Sequence, residues 1–142
     1  VREAVKEFGS TRVMIAIDAD ANEALPSGRE VYIDGGRTGT GHDAVEFAKR
    51  MADIGVGQIL PTSKATDGTC EGYDIPLTRA IAEATGLPVI ASGGAGKLSH
   101  FHEAVTEGHA SAVLAASVFH FGTFTIGEVE EYLAAQGVPV RL

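Results

Sequence analysis

Four short apolar runs limit this chain to few architectures: Arg12 to Ile17 (RVMIAI), Gln58 to Thr62 (QILPT), Pro88 to Ala91 (PVIA) and Ala112 to Ala115 (AVLA). RVMIAI is too continuous for a strand with one wet face and suits a parallel sheet covered on both sides. Helical spacing follows each run. Ala44, Val45, Ala48, Met51 and Ala52 share one helix face, and Ile75 to Thr85 forms a second helix that stops at Gly86. Phe101, Ala104 and Val105 mark a third that runs to Gly108, and Thr125 with Glu128 makes a capping box for a fourth, through about Ala135. Alternation of this kind predicts an α/β fold with parallel strands and outer helices. A (β/α)₈ barrel takes roughly 250 residues, and the 142 here, one domain by length, are near half of that, so a (β/α)₄ half of a TIM-type barrel is one reading of the pattern. Four strands cannot close that barrel. Their open edges and inward apolar face call for a second copy, a missing half, or rearrangement into an open flavodoxin-like sheet.

The remaining stretches read as connections. VREAVKEFGS looks like the second half of a helix ending at Gly9, as though the chain began partway into a longer protein. RVMIAI is expected to end in Asp18, Asn22 to Gly28 to turn, Glu30 to Ile33 to make a short β excursion, and Gly35 to Gly41 to belong to a long loop with some structure of its own. Ser117 to Gly122 reads as a short helix or turn.

With 44% hydrophobic and 21% charged residues the chain can build a core, and a net charge of −8 argues against nucleic acid or an anionic membrane as the main partner. One cysteine, Cys70, excludes an internal disulfide framework and a Cys-rich zinc site and suits a cytoplasmic location; no apolar run approaches a membrane span. Asp18, Asp20 and Asn22 have the spacing that opens a calcium loop, but its sixth position is Glu23 and its twelfth Arg29. The five histidines are scattered, so no metal is expected and solvated or capping roles are the default for His100 and His102.

LPVIASGGAGK, Leu87 to Lys97, passes from strand through a glycine loop to a helix start. Gly93, Gly94 and Gly96 let the backbone approach an anion with its N–H groups exposed, or simply make a tight βα turn. It is not a P-loop, since Ala91 stands where the first glycine belongs and Leu98 follows Lys97. No dinucleotide fingerprint is completed either, and the reading calls for no cofactor. Polar residues gather at the carboxyl ends of the strands: Asp18 after the first, Thr62, Ser63 and Asp67 after the second, Ser92 to Gly94 after the third, Ser117 after the fourth. In parallel α/β folds those ends converge on one rim. Their hydroxyls and glycine amides suit one or two phosphates, with one anion between Gly93–Gly94 and Ala116–Ser117. Asp18 is the best placed carboxyl for proton transfer, its alternative being a turn or capping role. Asp67 before Gly68 is a turn or a site residue, and Cys70 an ordinary loop thiol.

VMIAIDAD (Val13 to Asp20), YIDGGRTGTGHDAVEFAKR (Tyr32 to Arg50), ILPTSKATDGTCEGYD (Ile59 to Asp74), IASGGAGKLSHF (Ile90 to Phe101) and AASVFHFG (Ala115 to Gly122) together resemble the carboxyl half of the HisF family. That family comprises the cyclase subunits of imidazole glycerol phosphate synthase in histidine biosynthesis. The resemblance implies a parent (β/α)₈ barrel that takes ammonia from a glutaminase subunit and cleaves and cyclises a bisphosphorylated aminoimidazole carboxamide ribonucleotide. It makes Asp18 one of two catalytic aspartates, the other lying in the amino-terminal half. It sets Thr62 and Asp67 beside the substrate and one phosphate at the loops around Gly68, Gly93, Gly94 and Ser117. Asp20, Ala65 and Thr38-Gly39 depart from the family pattern; Asp20 replaces a basic or neutral residue and bears on the charge around Asp18. The family barrel has two similar halves, so self-pairing into a homodimer is expected to rebuild a barrel with two copies of Asp18 across its mouth.

Overall fold

A computed structural model describes residues 1–140. The chain opens with helix α1 (Arg2–Phe8), which Gly9 ends at φ 83°, and a 3-10 turn over Ser10–Arg12. Strand β1 (Met14–Ala21), strands β2 (Arg29–Ile33) and β3 (Thr38–Asp43), helix α2 (Ala44–Ile54) and strand β4 (Gln58–Ser63) follow. Then come α3 (Ile75–Thr85), β5 (Ile90–Ser92), α4 (Leu98–Thr106), β6 (Ala112–Leu114), the short α5 (Ser117–His120) and α6 (Ile126–Ala135).

One six-stranded sheet has the order β3-β2-β1-β4-β5-β6. β1, β4, β5 and β6 run parallel, and the helices that connect them pack on one side, which is the arrangement of half a TIM-type barrel. One expectation is corrected and one is made specific. β1 does not end at Asp18 but continues to Ala21, because β2 pairs antiparallel with Asp18 to Ala21 and satisfies their backbone groups. The structure expected within the loop that includes Gly35 to Gly41 is a strand: β3 starts at Thr38 and pairs with β2, so residues 29–43 form a β-hairpin. This hairpin covers only the carboxyl half of β1's outer edge. Pairing begins at Asp18, and the edge of Met14 to Ile17 stays open. Smaller differences fall at element ends, where β5 opens at Ile90 and α4 closes at Thr106.

Local chemistry accounts for the helix boundaries. The Asp43 carboxylate accepts the N–H groups of Val45 and Glu46 at the start of α2, and Gly55 stops that helix in the left-handed conformation that glycine adopts freely. Asp74 caps α3 through Leu77 N–H, and Thr125 with Glu128 forms the expected capping box. α2 buries Ala44, Ala48 and Met51, and α3 buries Leu77, Thr78 and Ile81. These helices meet Ile17, Ala19 and Ile59 from the sheet in one apolar cluster; Ala91, Phe101, Val118 and Leu133 centre a second. No helix among the described residues is long and apolar enough to cross a membrane.

Side chains alternate across each strand, so Ile15, Ile17 and Ala19 face the helices while Met14, Ala16, Asp18 and Asp20 share the opposite face. Among the described residues, that second face carries no layer. Met14 is 46% and Leu114 42% exposed, Ala16 and Ala112 are exposed, and Leu60 and Ile90 are half-buried.

Candidate functional site

Register brings the polar strand ends together. Asp18 of β1 lies opposite Thr62 of β4, and Thr62 opposite Ser92 of β5. Parallel strands stand about 4.8 Å apart, so these three side chains form one row, roughly 10 Å long, across the uncovered face. Asp18 is half-buried, and among the described residues its carboxylate has neither a hydrogen bond nor an ion pair. It is therefore available to a ligand.

Beside the row lies a cavity of about 40 Å³, lined by Asp67, Gly68, Cys70, Ser92, Gly93, Gly94 and the turn from Leu114 to Ser117. At roughly 10–15 Å³ per water centre, it holds about three waters or one tetrahedral oxyanion. The sequence-expected phosphate residues thus converge in space. Gly93 and Gly94 are buried at φ 88° and 101°, and among the described residues the N–H groups of Gly68, Gly93, Gly94, Ala116 and Ser117 donate to no protein acceptor. Buried amides are nearly always paired, so the free N–H groups of the buried Gly93 and Gly94, with those of Gly68, Ala116 and Ser117 nearer solvent, mark a place for an acceptor.

Backbone-to-backbone packing fixes the cavity walls. Gly72 N–H donates to Gly94 C=O at 2.7 Å where the β4–α3 and β5–α4 loops cross. A Cβ on Gly94 would collide with the Gly72 carbonyl, and one on Gly96 with the Cys70 carbonyl, so these glycines are required by close approach. Thr66 Oγ1 donates to Gly93 C=O at 3.3 Å, and the Tyr73 hydroxyl donates to Leu114 C=O at 3.0 Å, tying the rear of the loop to β6. Burial pushes the Tyr73 hydroxyl pKa well up, so it stays a donor. Asp67 is exposed at the cavity rim with its Cβ against Gly93. Cys70 is exposed too, at φ 61° in the same loop.

Asp20, two residues beyond Asp18 on the same face, does not act as a second free carboxylate. Lys64 Nζ pairs with it at 3.1 Å and lies 3.9 Å from the centre of the Tyr32 ring. Burial pushes the Asp20 pKa up, but the Ala21 N–H, the Lys64 ammonium and the Arg29 charge outweigh it and leave the carboxyl below its usual range. The Lys64 stem also lies under Gly36 at the hairpin tip. At the other end, Arg29 Nε donates to the buried Asp74 carboxylate at 2.8 Å, and the hairpin is pinned to the first turn of α3.

Sequence reasoning missed four contributors. Lys64, Tyr32 and the Arg29–Asp74 pair depend on a hairpin that carries little apolar pattern. His100, expected to be solvated or capping, is instead 7% exposed, with Nδ1 accepting the Gly96 N–H at 3.2 Å. The signal was its neighbour Phe101 and Ala104 on the buried face of α4. A family model described as "Histidine biosynthesis protein" matches residues 1–125, which span every element of this site.

Proposed function

The chain belongs to the histidine biosynthesis protein family, and on that premise we propose that it is the carboxyl half of a HisF-like cyclase barrel. It binds one phosphate of a phosphorylated substrate and contributes one acid–base carboxylate. The observation that carries this reading is the row Asp18–Thr62–Ser92 ending at a cavity ringed by unpartnered amides. Gly68, Gly93, Gly94, Ala116 and Ser117 bind phosphate oxygens through N–H groups, with the Ser92 and Ser117 hydroxyls beside them. Thr62 and Asp67 position the sugar portion that leads from that phosphate toward Asp18. Asp18 then moves a proton at the reacting end, where ammonia attacks and the ribonucleotide is cleaved and cyclised.

This chemistry uses a second carboxylate across the mouth, and Asp20, held by Lys64, does not supply it. It comes from a complementary amino-terminal half, or from Asp18 of a second copy. A homodimer fits the open strand edges. β6 pairs with β5 over only three residues, Ala112 to Leu114, and β1 keeps Met14 to Ile17 free for a strand of that length. Joining β1 of each copy to β6 of the other closes eight parallel strands and covers the apolar face. Ammonia delivery by a glutaminase subunit, in the cytoplasm, completes the reading.

A phosphate-binding half-barrel without turnover is the second reading, favoured by the cavity being built wholly from one chain while the carboxylate pair is not. Ammonia-dependent cyclase turnover, measured with and without an amino-terminal half barrel, separates them. Turnover that appears on complementation supports the cyclase. Phosphate-dependent thermal stabilisation with no turnover in either mixture leaves the binding module.

A further inference from the structure

The imidazole of His100 is buried in the first turn of α4, directly behind the glycine loop. Nδ1 accepts the Gly96 N–H at 3.2 Å, so that nitrogen carries no proton and the neutral ring holds its hydrogen on Nε2. The ring also packs beneath the other loop of the cavity. A Cβ built on Gly72 would stand 3.7 Å from Cγ, Cδ2 and Nε2, and Gly72 is the residue whose N–H grips Gly94 C=O. His100 thus bonds the loop after β5 while its ring packs against the loop after β4 at their crossing, which Thr66 ties together from the other loop through Gly93 C=O.

We infer that His100 is a positioning residue for the anion cavity, its neutral Nε2–H tautomer holding Gly96 through Nδ1 so that the Gly93 and Gly94 amides face the bound oxyanion. The Gly96 N–H points away from the cavity into the ring. Without that acceptor, the half-buried N–H is left unpaired, and the loop turns to satisfy it. The glycines that make the close approach feasible also make the loop soft, and the ring supplies what they lack. The inference deepens the phosphate-binding reading and rests on it for its affinity consequence.

The test uses the intact chain and inorganic phosphate. Nitrogen-15 spectra of the His100 ring at neutral pH are expected to show an Nε2–H tautomer with unprotonated Nδ1. Asn places an acceptor oxygen where Nδ1 stands and Gln places one where Nε2 stands. His100→Asn should therefore keep phosphate affinity within about threefold, whereas His100→Gln and His100→Leu should lose about tenfold, the effect of one hydrogen bond. A role in packing alone would not distinguish Asn from Gln in this way. A proton on Nδ1, or equal affinity in the wild type and His100→Leu, overturns the assignment. If the wild type binds no phosphate, the anion reading fails by itself, and amide exchange decides the positioning role. Gly96 should exchange faster in His100→Leu than in His100→Asn, and equal rates would refute it.

Discussion

Met14→Asp tests whether the uncovered sheet face is an assembly surface. Met14 lies at the amino end of β1, two strand positions from Ala16 and four from Asp18 on the same face, and is 46% exposed in a single chain. Complete burial of a methionine side chain contributes about 1.5–3 kcal/mol, so closing the remaining half inside an eight-stranded barrel gives about 1 kcal/mol per copy. An aspartate sealed there forfeits that contribution and adds the desolvation of a carboxyl group, together at least about 3 kcal/mol. Two-fold symmetry doubles the loss to about 6 kcal/mol, more than 10⁴-fold in the dimer dissociation constant. In the separate protomer the new side chain meets water, and the effect on folding is at most about 1 kcal/mol. Light scattering at micromolar concentration should give a dimer for the parent chain and a folded monomer with a similar circular dichroism spectrum for Met14→Asp. A variant that remains dimeric, or a parent chain that is monomeric and binds no apolar dye, would refute closure through this face.

Three further outcomes follow from the geometry. Asp18→Asn, combined with an amino-terminal half barrel, should lower ammonia-dependent turnover by at least about 10²-fold with unchanged phosphate binding, and an unaltered rate returns Asp18 to a structural role. Ser117→Asp puts a carboxylate at the cavity and should abolish phosphate-dependent stabilisation, read as the loss of the ligand-induced rise in Tm; it is a cleaner probe than Gly94→Val, whose side chain collides with Gly72 and disturbs the loops themselves. Asp43→Ala removes the cap of α2 and leaves the Ser27 N–H, now bonded to Asp43 Oδ2 at 2.7 Å, without an acceptor, and chemical denaturation should show a loss of about 2–4 kcal/mol. Burial pushes the Asp43 pKa up, but the Ser27, Glu46 and Val45 amides more than offset this and hold it below its ordinary 3.8. Its contribution is then full above about pH 5 and fades as the pH falls through 3.8 toward the lowered folded value. The parent and Asp43→Ala should therefore converge in stability in acid, and a constant difference would contradict the linkage.

The parallel half of the sheet was legible because buried strands flanked by glycine stops and capped helices leave strong local marks, as at Asp43, Gly55, Gly86 and Thr125. Convergence of Ser92, Gly93, Gly94 and Ser117 followed from fold class alone, since parallel strands present their carboxyl ends on one rim. β1 was cut short at Asp18 because an apolar run was its marker, whereas beyond Ile17 the strand alternates, with Ala19 buried and Asp18 and Asp20 on the uncovered face. β3, TGTGHD, has no apolar residue to announce it; pairing with β2 makes it a strand. The Lys64–Asp20 and Arg29–Asp74 pairs join residues 44 and 45 positions apart, and no periodicity reports such contacts. Histidine counts as polar in any pattern, so the burial of His100 depended on what the two glycine loops leave vacant behind them.

The β2–β3 hairpin also bears on how the chain avoids its own misassembly. Sheets with long unpaired edges template one another into fibres, and short, interrupted edges do not. By taking the carboxyl half of β1, the hairpin leaves only Met14 to Ile17 of that strand unpaired, and the outermost strand it adds, β3, is a polar TGTGHD with a register shift against β2, while β6 at the opposite side pairs over three residues. A strand arriving at Met14 can advance only until it meets the hairpin at Asp18. A partner strand added at Met14, as the proposed closure requires, would meet the hairpin after four residues, and the same stop would limit a growing stack.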